Sequence, residues 1–172
     1  MTHRLVAFGL AATVFLVDRV TKGIIRSQVT QWDTYVVIPG FFNIVHTENR
    51  GAAFGLLANA DSEWRTFFLV GLSILVLALV ASVMWQPSAP AHGRALGVGL
   101  ALLFGGALGN LSDRITHGTV TDFLEFYLGQ YHWPAFNVAD SAISVGAGLL
   151  LLDLWLSRRI NRGDAERAGN QG

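Results

Sequence analysis

The chain has 172 residues, of which 52% are hydrophobic and only 14% are charged. Soluble domains carry about 25% charged residues, so this composition predicts a membrane protein with a single domain. The formal net charge is zero, which argues against a basic surface for nucleic acid. Cysteine is absent, which excludes disulfides, thiolate metal sites and cysteine nucleophiles.

Four apolar segments are about long enough to cross a bilayer. In chain order they are residues 5–25, 67–85, 95–111 and 138–156. The second has no charge, whereas the first is interrupted by DRVTK, Asp18 to Lys22. No small-residue cleavage site closes the first apolar run, so we predict a retained helix and not a cleaved signal peptide.

The distribution of basic residues predicts the orientation of these helices. One side of the predicted bundle is flanked by arginines with few acidic neighbours: Arg4, Arg94, Arg158, Arg159, Arg162 and Arg167. Both termini are therefore expected in the cytoplasm, with loops 26–66 and 112–137 facing outward. The predicted fold is an all-α integral membrane protein, in which residues 1–160 form one domain of four transmembrane helices. Residues 161–172 are polar and are expected to form a disordered cytoplasmic tail.

The first outer loop contains two short segments with strand character. YVVI, Tyr35–Ile38, is followed by Pro-Gly and then by FFNIVHT, Phe41–Thr47. Two such runs around a turn predict a hairpin. We expect a small outward-facing β-strand and loop unit between the first two helices, resting on the membrane surface.

Small residues recur every fourth position in the third segment, which places them on one helix face. They are Gly97, Ala101, Gly105 and Gly109, and the next position in the series is Asp113. Asp140, Ser144 and Gly148 repeat the spacing in the fourth segment. Small faces let membrane helices approach closely. Both faces are thus predicted to end in a carboxylate at the outer surface.

Each polar group near the predicted membrane has an ordinary structural interpretation when it is taken alone. Asn137 and Asp140 suit the N-cap and first turn of a helix, and Asp18 and Lys22 suit an i,i+4 pair. Asp113 and Arg114 could form an interfacial ion pair, but capping does not explain Asp122. Ionised groups at a membrane helix centre cost roughly 3 kcal/mol, so their convergence predicts a functional site.

The available residue types restrict the chemistry of such a site. A serine–lysine pair would need Lys22, the only lysine, and no G-x-S-x-G turn is present. The five histidines are scattered, so no metal or other cofactor is expected. Two neighbouring carboxylates can share one proton and activate water, and Asp122 and Asp140 are the candidates. A small proton-coupled transporter and a structural membrane subunit are the alternatives.

Five motifs in order resemble those of the lipoprotein signal peptidase (signal peptidase II) family. They are DRVTK, NRGAAFG, GGALGNLSDR, GTVTDF and FNVADSAI, within Asp18 to Asp153. The resemblance implies that Asp122 and Asp140 are the catalytic pair. It implies that four residues line the site and hold the substrate backbone, namely Asn49, Asn110, Arg114 and Asn137. Asp18, Lys22 and Asp113 would brace the site. Arg19 and Ser112 depart from the residues usual at their positions, and Arg19 leaves the electrostatics around Asp18 open.

The same resemblance implies a substrate and a location. The substrate would be a prolipoprotein carrying a diacylglyceryl group on its cysteine, cut just before that cysteine. The enzyme would be a multi-pass protein of the bacterial cytoplasmic (inner) membrane, with its site at the outer face, where the lipid presents the scissile bond. The glycine face would leave room for the signal helix. Membrane lipid is the expected surrounding, and a monomer suffices.

Overall fold

The structure is a computed structural model, and it describes residues 2–31, 33–51, 62–86 and 94–169. Within these ranges the chain forms four helices and four strands. In chain order they are α1 Thr2–Gln28, β1 Thr34–Ile38, β2 Phe42–Asn49, α2 Ser62–Trp85, α3 Arg94–His117, β3 Val120–Leu128, β4 Tyr131–His132 and α4 Val138–Gly169.

Three of the described helices are long and apolar enough to cross a membrane. The qualifying stretches are Trp64–Trp85, Ala95–His117 and Val138–Arg159. Their outer faces expose large apolar side chains, such as Leu75 and Leu79 of α2. Contiguous apolar surface of this kind indicates contact with lipid. Charged residues between Asp18 and Lys22 keep α1 out of this set, so its predicted membrane span stays a prediction.

Helix α3 is the centre of the bundle and contacts α1, α2 and α4. Glycine permits the closest approaches. A Cβ atom added at Gly105 would lie 2.5 Å from the carbonyl oxygen of Ala11 in α1. One added at Gly106 would lie 2.5 Å from the carbonyl oxygen of Ala139 in α4. The two neighbouring glycines therefore let α3 pack against two helices at backbone distance.

Part of the predicted glycine pattern is wrong. A Cβ atom added at Gly97 meets nothing within 4 Å among the described residues. The space beside Gly105 is filled by α1, which leaves no room there for a further helix. In α4, Ser144 and Gly148 are exposed. The helix turns Gly146 toward α3 instead, where an added Cβ would lie 2.7 Å from a backbone oxygen. A four-residue spacing does not by itself identify the packed face, because several faces of these helices carry small residues.

The close approach at Gly106 leads to a stability prediction. Gly106→Ala places a methyl group against the backbone of α4, and overpacking of this kind costs about 1–3 kcal/mol. Gly97→Ala is the matched control, because no atom of the described residues lies within 4 Å of its Cβ position. Thermal unfolding in detergent should show a lower midpoint for Gly106→Ala only. Equal midpoints for the two variants would contradict the packing described.

The segments between α1 and α2 and between α3 and α4 form one antiparallel sheet in the order β1-β2-β3-β4. Strands β1 and β2 form the predicted hairpin. Strands β3 and β4 were not predicted. They occupy much of the region expected to be the loop 112–137. Helix α3 also extends into the start of this region, as far as His117. Gly118, with φ of 73°, then ends α3 and lets the chain turn directly into β3.

Helix α4 also continues beyond its predicted end at residue 156. It reaches Gly169 and includes most of the segment expected to be a disordered tail. Ala, Glu and Arg residues in that segment favour helix, and a helix already formed in the bundle removes the cost of nucleation.

Candidate active site

Asp122 is buried in strand β3, with 3% of its surface exposed. Strand β2 runs alongside, with Thr47 paired to Asp122 and Asn49 paired to Val120. This register brings Asn49 Nδ2 to 2.9 Å from Asp122 Oδ2. Asn137, just before α4, donates from Nδ2 to Asp122 Oδ1 at 2.7 Å. Two amides therefore hold the carboxyl group in one orientation.

Asp140 lies in the first turn of α4 and forms a reciprocal cap with Asn137. The Asp140 amide donates to Asn137 Oδ1 at 2.9 Å, and the Asn137 amide donates to Asp140 Oδ2 at 3.2 Å. This is the capping-box arrangement, which satisfies two amides at the start of the helix. Asn110 Nδ2 of α3 donates to Asp140 Oδ1 at 2.8 Å. Asn137 thus caps α4 and also connects Asp140 with Asp122.

The two carboxyl groups affect each other electrostatically. Burial, together with the nearby charge of Asp140, raises the pKa of Asp122 to about 7. Hydrogen bonds from Asn49 and Asn137 limit this rise, because they stabilise the ionised form. Near neutral pH, therefore, the pair can hold one proton between two carboxyl groups. That state suits general acid and base chemistry.

A buried ion cluster lies behind the aspartate pair. It consists of Asp18, Lys22 and Asp113, all fully buried. Lys22 Nζ lies 2.8 Å from Asp18 Oδ2 and 3.1 Å from Asp113 Oδ2. It also donates to Asn110 Oδ1 at 2.8 Å, so all three of its protons have partners. Because Asn110 bonds both Lys22 and Asp140, it connects the ion cluster with the Asp140 carboxyl group.

Asp113 is not paired with its chain neighbour Arg114, contrary to the ion-pair interpretation of the sequence. It pairs with cations of α1, namely Arg19, Lys22 and Arg26, the last through Nη2 at 2.9 Å. Because adjacent helix residues point in different directions, Asp113 faces α1. Arg114 interacts electrostatically most strongly with the carboxylate of Asp140, and then with those of Asp122 and Asp113.

Comparisons with known proteins agree with this arrangement. The sequence pattern of the family described as Signal peptidase (SPase) II matches residues 10–156. The lipoprotein signal peptidase of Solibacter usitatus is 52% identical over 153 residues, which cover 89% of this chain and 92% of the relative. The enzyme of that name from Maridesulfovibrio salexigens is 46% identical, covering 87% and 96%. A solved bacterial membrane enzyme superimposes with a TM-score of 0.78 at 32% identity, covering 89% of each chain.

The chain belongs to the signal peptidase II family. The predicted membership is thus confirmed, and the chain is a membrane protease of lipoprotein processing. The transporter and structural-subunit alternatives are set aside for this reason. The serine–lysine alternative is disfavoured by contacts as well, because Lys22 donates to Asp18, Asp113 and Asn110.

In this signal peptidase II family member, all nine residues predicted for the site lie close together and are connected by hydrogen bonds, ion pairs or electrostatic contacts. The two aspartates are held directly by amides of Asn49, Asn110 and Asn137. Asp18 accepts a bond from the Ala139 amide at 2.9 Å, so the ion cluster is fastened to α4 as well. The predicted contacts of the asparagines with a substrate backbone stay a prediction.

Sequence reasoning missed Arg26, Thr121 and Glu48. Arg26 Nε donates to Thr121 Oγ1 at 2.8 Å, and Thr121 Oγ1 donates to Glu48 Oε1 at 3.0 Å. Arg26 could have been found, because it follows Asp18 and Lys22 at four-residue spacing on one helix face. Thr121 and Glu48 gave no such signal, since their contact depends on the register of β2 with β3.

Proposed function

We propose that this chain removes the signal peptide of diacylglyceryl-modified prolipoproteins by cutting just before the lipidated cysteine, and that Asp122 and Asp140 activate the attacking water. The observation that supports this proposal best is the aspartate pair joined through Asn137. One of its members has a pKa raised to about 7, so the pair can hold one acid and one base at neutral pH.

In the proposed reaction the ionised carboxylate takes a proton from water, and the resulting hydroxide oxygen bonds to the carbonyl carbon of the scissile peptide. The protonated carboxyl group donates its proton to the carbonyl oxygen. The tetrahedral intermediate then collapses and the C–N bond breaks, and the leaving nitrogen takes up the proton that the first carboxylate received from water. One hydroxyl group of the intermediate returns its proton to the second carboxylate, which restores the singly protonated pair. Arg114, whose charge interacts with both carboxylates, would favour the ionised member of the pair.

The proposed topology has four spanning helices in the bacterial inner membrane, both termini in the cytoplasm and the site at the outer face. Arg4 near the start of α1 donates to the carbonyl oxygen of Gln86, just after α2, at 3.1 Å. These two ends therefore lie on one side of the bundle, while the sheet and the aspartate pair lie at the other ends of α1 and α3. The basic residues on the first side suit the cytoplasm. A monomer contains every residue of the proposed site.

The substrate proposal is tested with two synthetic prolipopeptides that differ only at the cysteine. One carries the diacylglyceryl thioether and the other has a free thiol. Purified enzyme in detergent should cleave the lipidated peptide and leave the other uncut. Equal cleavage of both peptides would contradict the proposed role of the lipid.

The raised pKa of Asp122 predicts an alkaline limit to activity. Below about pH 7 Asp122 holds its proton, and above it Asp122 ionises and the acid is lost. We therefore expect kcat/KM to fall as the pH rises through about 7. Asn49→Ala removes a donor to the ionised form, so the pKa of Asp122 should rise further and the fall should shift to higher pH. An unchanged profile in Asn49→Ala would contradict this assignment.

A further inference from the structure

Thr121 lies immediately before Asp122 in strand β3 and is completely buried. Its side chain points to the opposite face of the strand, because successive strand residues alternate. Both polar groups of its backbone, the amide and the carbonyl oxygen, form hydrogen bonds with side chains. The Thr121 amide donates to Asp113 Oδ2 at 3.4 Å, and its carbonyl oxygen accepts from Asn137 Nδ2 at 3.3 Å. Thr121 is thus fixed between the ion cluster and the asparagine that joins the two aspartates.

The hydroxyl group of Thr121 has a defined proton position. Arg26 Nε lies 2.8 Å from Oγ1, and a guanidinium can only donate, so Oγ1 accepts this bond. The hydroxyl proton is then donated to Glu48 Oε1 at 3.0 Å. A single oxygen atom thus connects an arginine of α1 with a carboxylate of β2.

Other hydrogen bonds hold the Glu48 carboxylate in place as the acceptor of this bond. The Thr119 hydroxyl donates to Oε2, and His46 Nε2 lies 3.1 Å from Oε1. Burial alone would raise the pKa of Glu48, but hydrogen bonds from Thr119, His46 and Thr121 and the charge of Arg26 lower it below its usual value. Because the carboxylate stays ionised and cannot donate, the Thr121 hydroxyl has no competing orientation.

We propose that Thr121 is a positioning residue for Asp122, and that Arg26 and Glu48 act through its hydroxyl group. Asn137 Nδ2 reaches both the carbonyl oxygen of Thr121 and Oδ1 of Asp122, the second at 2.7 Å. Any shift of the strand at Thr121 therefore changes the distance of Asp122 from Asn137, and with it the alignment of the two aspartates. This inference rests on the proposed catalytic role of Asp122.

The proposal is tested by replacing Thr121 with Val, Ser and Ala and measuring kcat and KM on the diacylglyceryl prolipopeptide. Misplacing a reacting group by 1 Å can cost about 10²-fold, so a smaller shift in Thr121→Val should lower kcat by about 10-fold. KM should stay near the wild-type value, because a completely buried side chain does not touch substrate. Thr121→Ser keeps the hydroxyl group and should restore kcat relative to Thr121→Ala.

Thr119→Val is the matched control. It also removes a hydroxyl donor to Glu48, but Thr121 keeps both of its own partners, so kcat should stay near the wild-type value. Comparable losses of kcat in Thr119→Val and Thr121→Val would overturn the proposal. So would a Thr121→Ser enzyme as slow as Thr121→Ala, a comparison that holds even if Thr121→Val fails to fold.

Asp122→Asn in the same assay separates the positioning role of Thr121 from the proposed catalytic role of Asp122. If Asp122→Asn is inactive while Thr121→Val keeps wild-type kcat, the positioning role is overturned and the proposed function stands. If Asp122→Asn remains active, both are overturned. An inactive Asp122→Asn enzyme, together with a slowed Thr121→Val and a restored Thr121→Ser, supports both.

Discussion

Replacing either Asp122 or Asp140 with asparagine is expected to lower kcat by at least about 10²-fold, the smaller end of what a general acid or base contributes. An amide can neither take a proton from water nor donate one with the required ease. Both carboxylate oxygens of Asp122 accept hydrogen bonds from side-chain amides, one from Asn49 and one from Asn137. Asp122→Asn replaces one of these oxygens with an NH₂ group, which can only donate. The measurement is cleavage of the diacylglyceryl prolipopeptide by each purified variant.

The loss must come from chemistry and not from unfolding. Thermal unfolding of the asparagine variants should stay within a few degrees of wild type, because removing a buried charge offsets the loss of a hydrogen bond. Glu125→Gln is the matched control, since Glu125 lies on the same strand but bonds Asn43 at 2.8 Å on the other face. It should retain nearly full activity. Substantial activity in either folded aspartate variant would contradict the proposed roles.

Lys22→Met is expected to cause the largest loss of stability. It leaves the carboxylates of Asp18 and Asp113 buried without their shared cation, and breaking a buried ion pair costs about 3–5 kcal/mol. Among the contacts of the described residues, Asp18 would keep only its hydrogen bond from the Ala139 amide. The free energy of unfolding in detergent measures this loss.

Arg19→Met is the control for Lys22→Met, because Arg19 lies on the same helix and contacts the same carboxylate of Asp113. Its side chain is 28% exposed, and Asp113 would keep Lys22 and Arg26, so the loss should be about 1 kcal/mol or less. Adding Asp18→Asn to Lys22→Met should recover part of the stability, because it removes a charge left unpaired. Equal losses from Lys22→Met and Arg19→Met would contradict the arrangement of the ion cluster.

Local patterns were enough to predict several parts of the fold. The uncharged run from Phe67 to Trp85 predicted α2, and the two apolar runs around Pro39 and Gly40 predicted the first hairpin. Such features depend on neighbouring residues alone. The Asp18 and Lys22 pair was predictable for the same reason, since i,i+4 spacing fixes their proximity on a helix.

Features that depend on contacts between distant segments were not predictable in this way. The β3 sequence VTDFLEFYL alternates apolar and polar residues only in part, because Asp122 and Glu125 serve contacts on opposite faces. The pairing of Asp113 with α1 instead of Arg114 required knowing which face of α3 meets α1. The packed face of α4 likewise depends on a contact with α3. A Cβ atom added at Gly99 of α3 would lie 2.9 Å from the backbone oxygen of Gly146 in α4.

Asp122 lies in β3 and Asp140 lies at the start of α4, and Asn137 is the residue that connects them. The sequence identified this residue as an N-cap. In the structure its side chain donates to the Asp122 carboxyl group and accepts from the Asp140 amide, while its own backbone amide donates to the Asp140 carboxyl group. One asparagine thus satisfies a local capping rule and joins the pair. Local reasoning found the first contact, while the second needed the fold.

The most direct test of direct water activation by the aspartate pair is a quenched single turnover of the lipidated prolipopeptide in heavy-oxygen water, with intact masses measured for enzyme and products. We expect cleavage just before the lipidated cysteine, one heavy oxygen in the new carboxylate of the signal peptide, and an enzyme of unchanged mass. An enzyme carrying a covalently attached peptide, or cleavage at another bond, would contradict it.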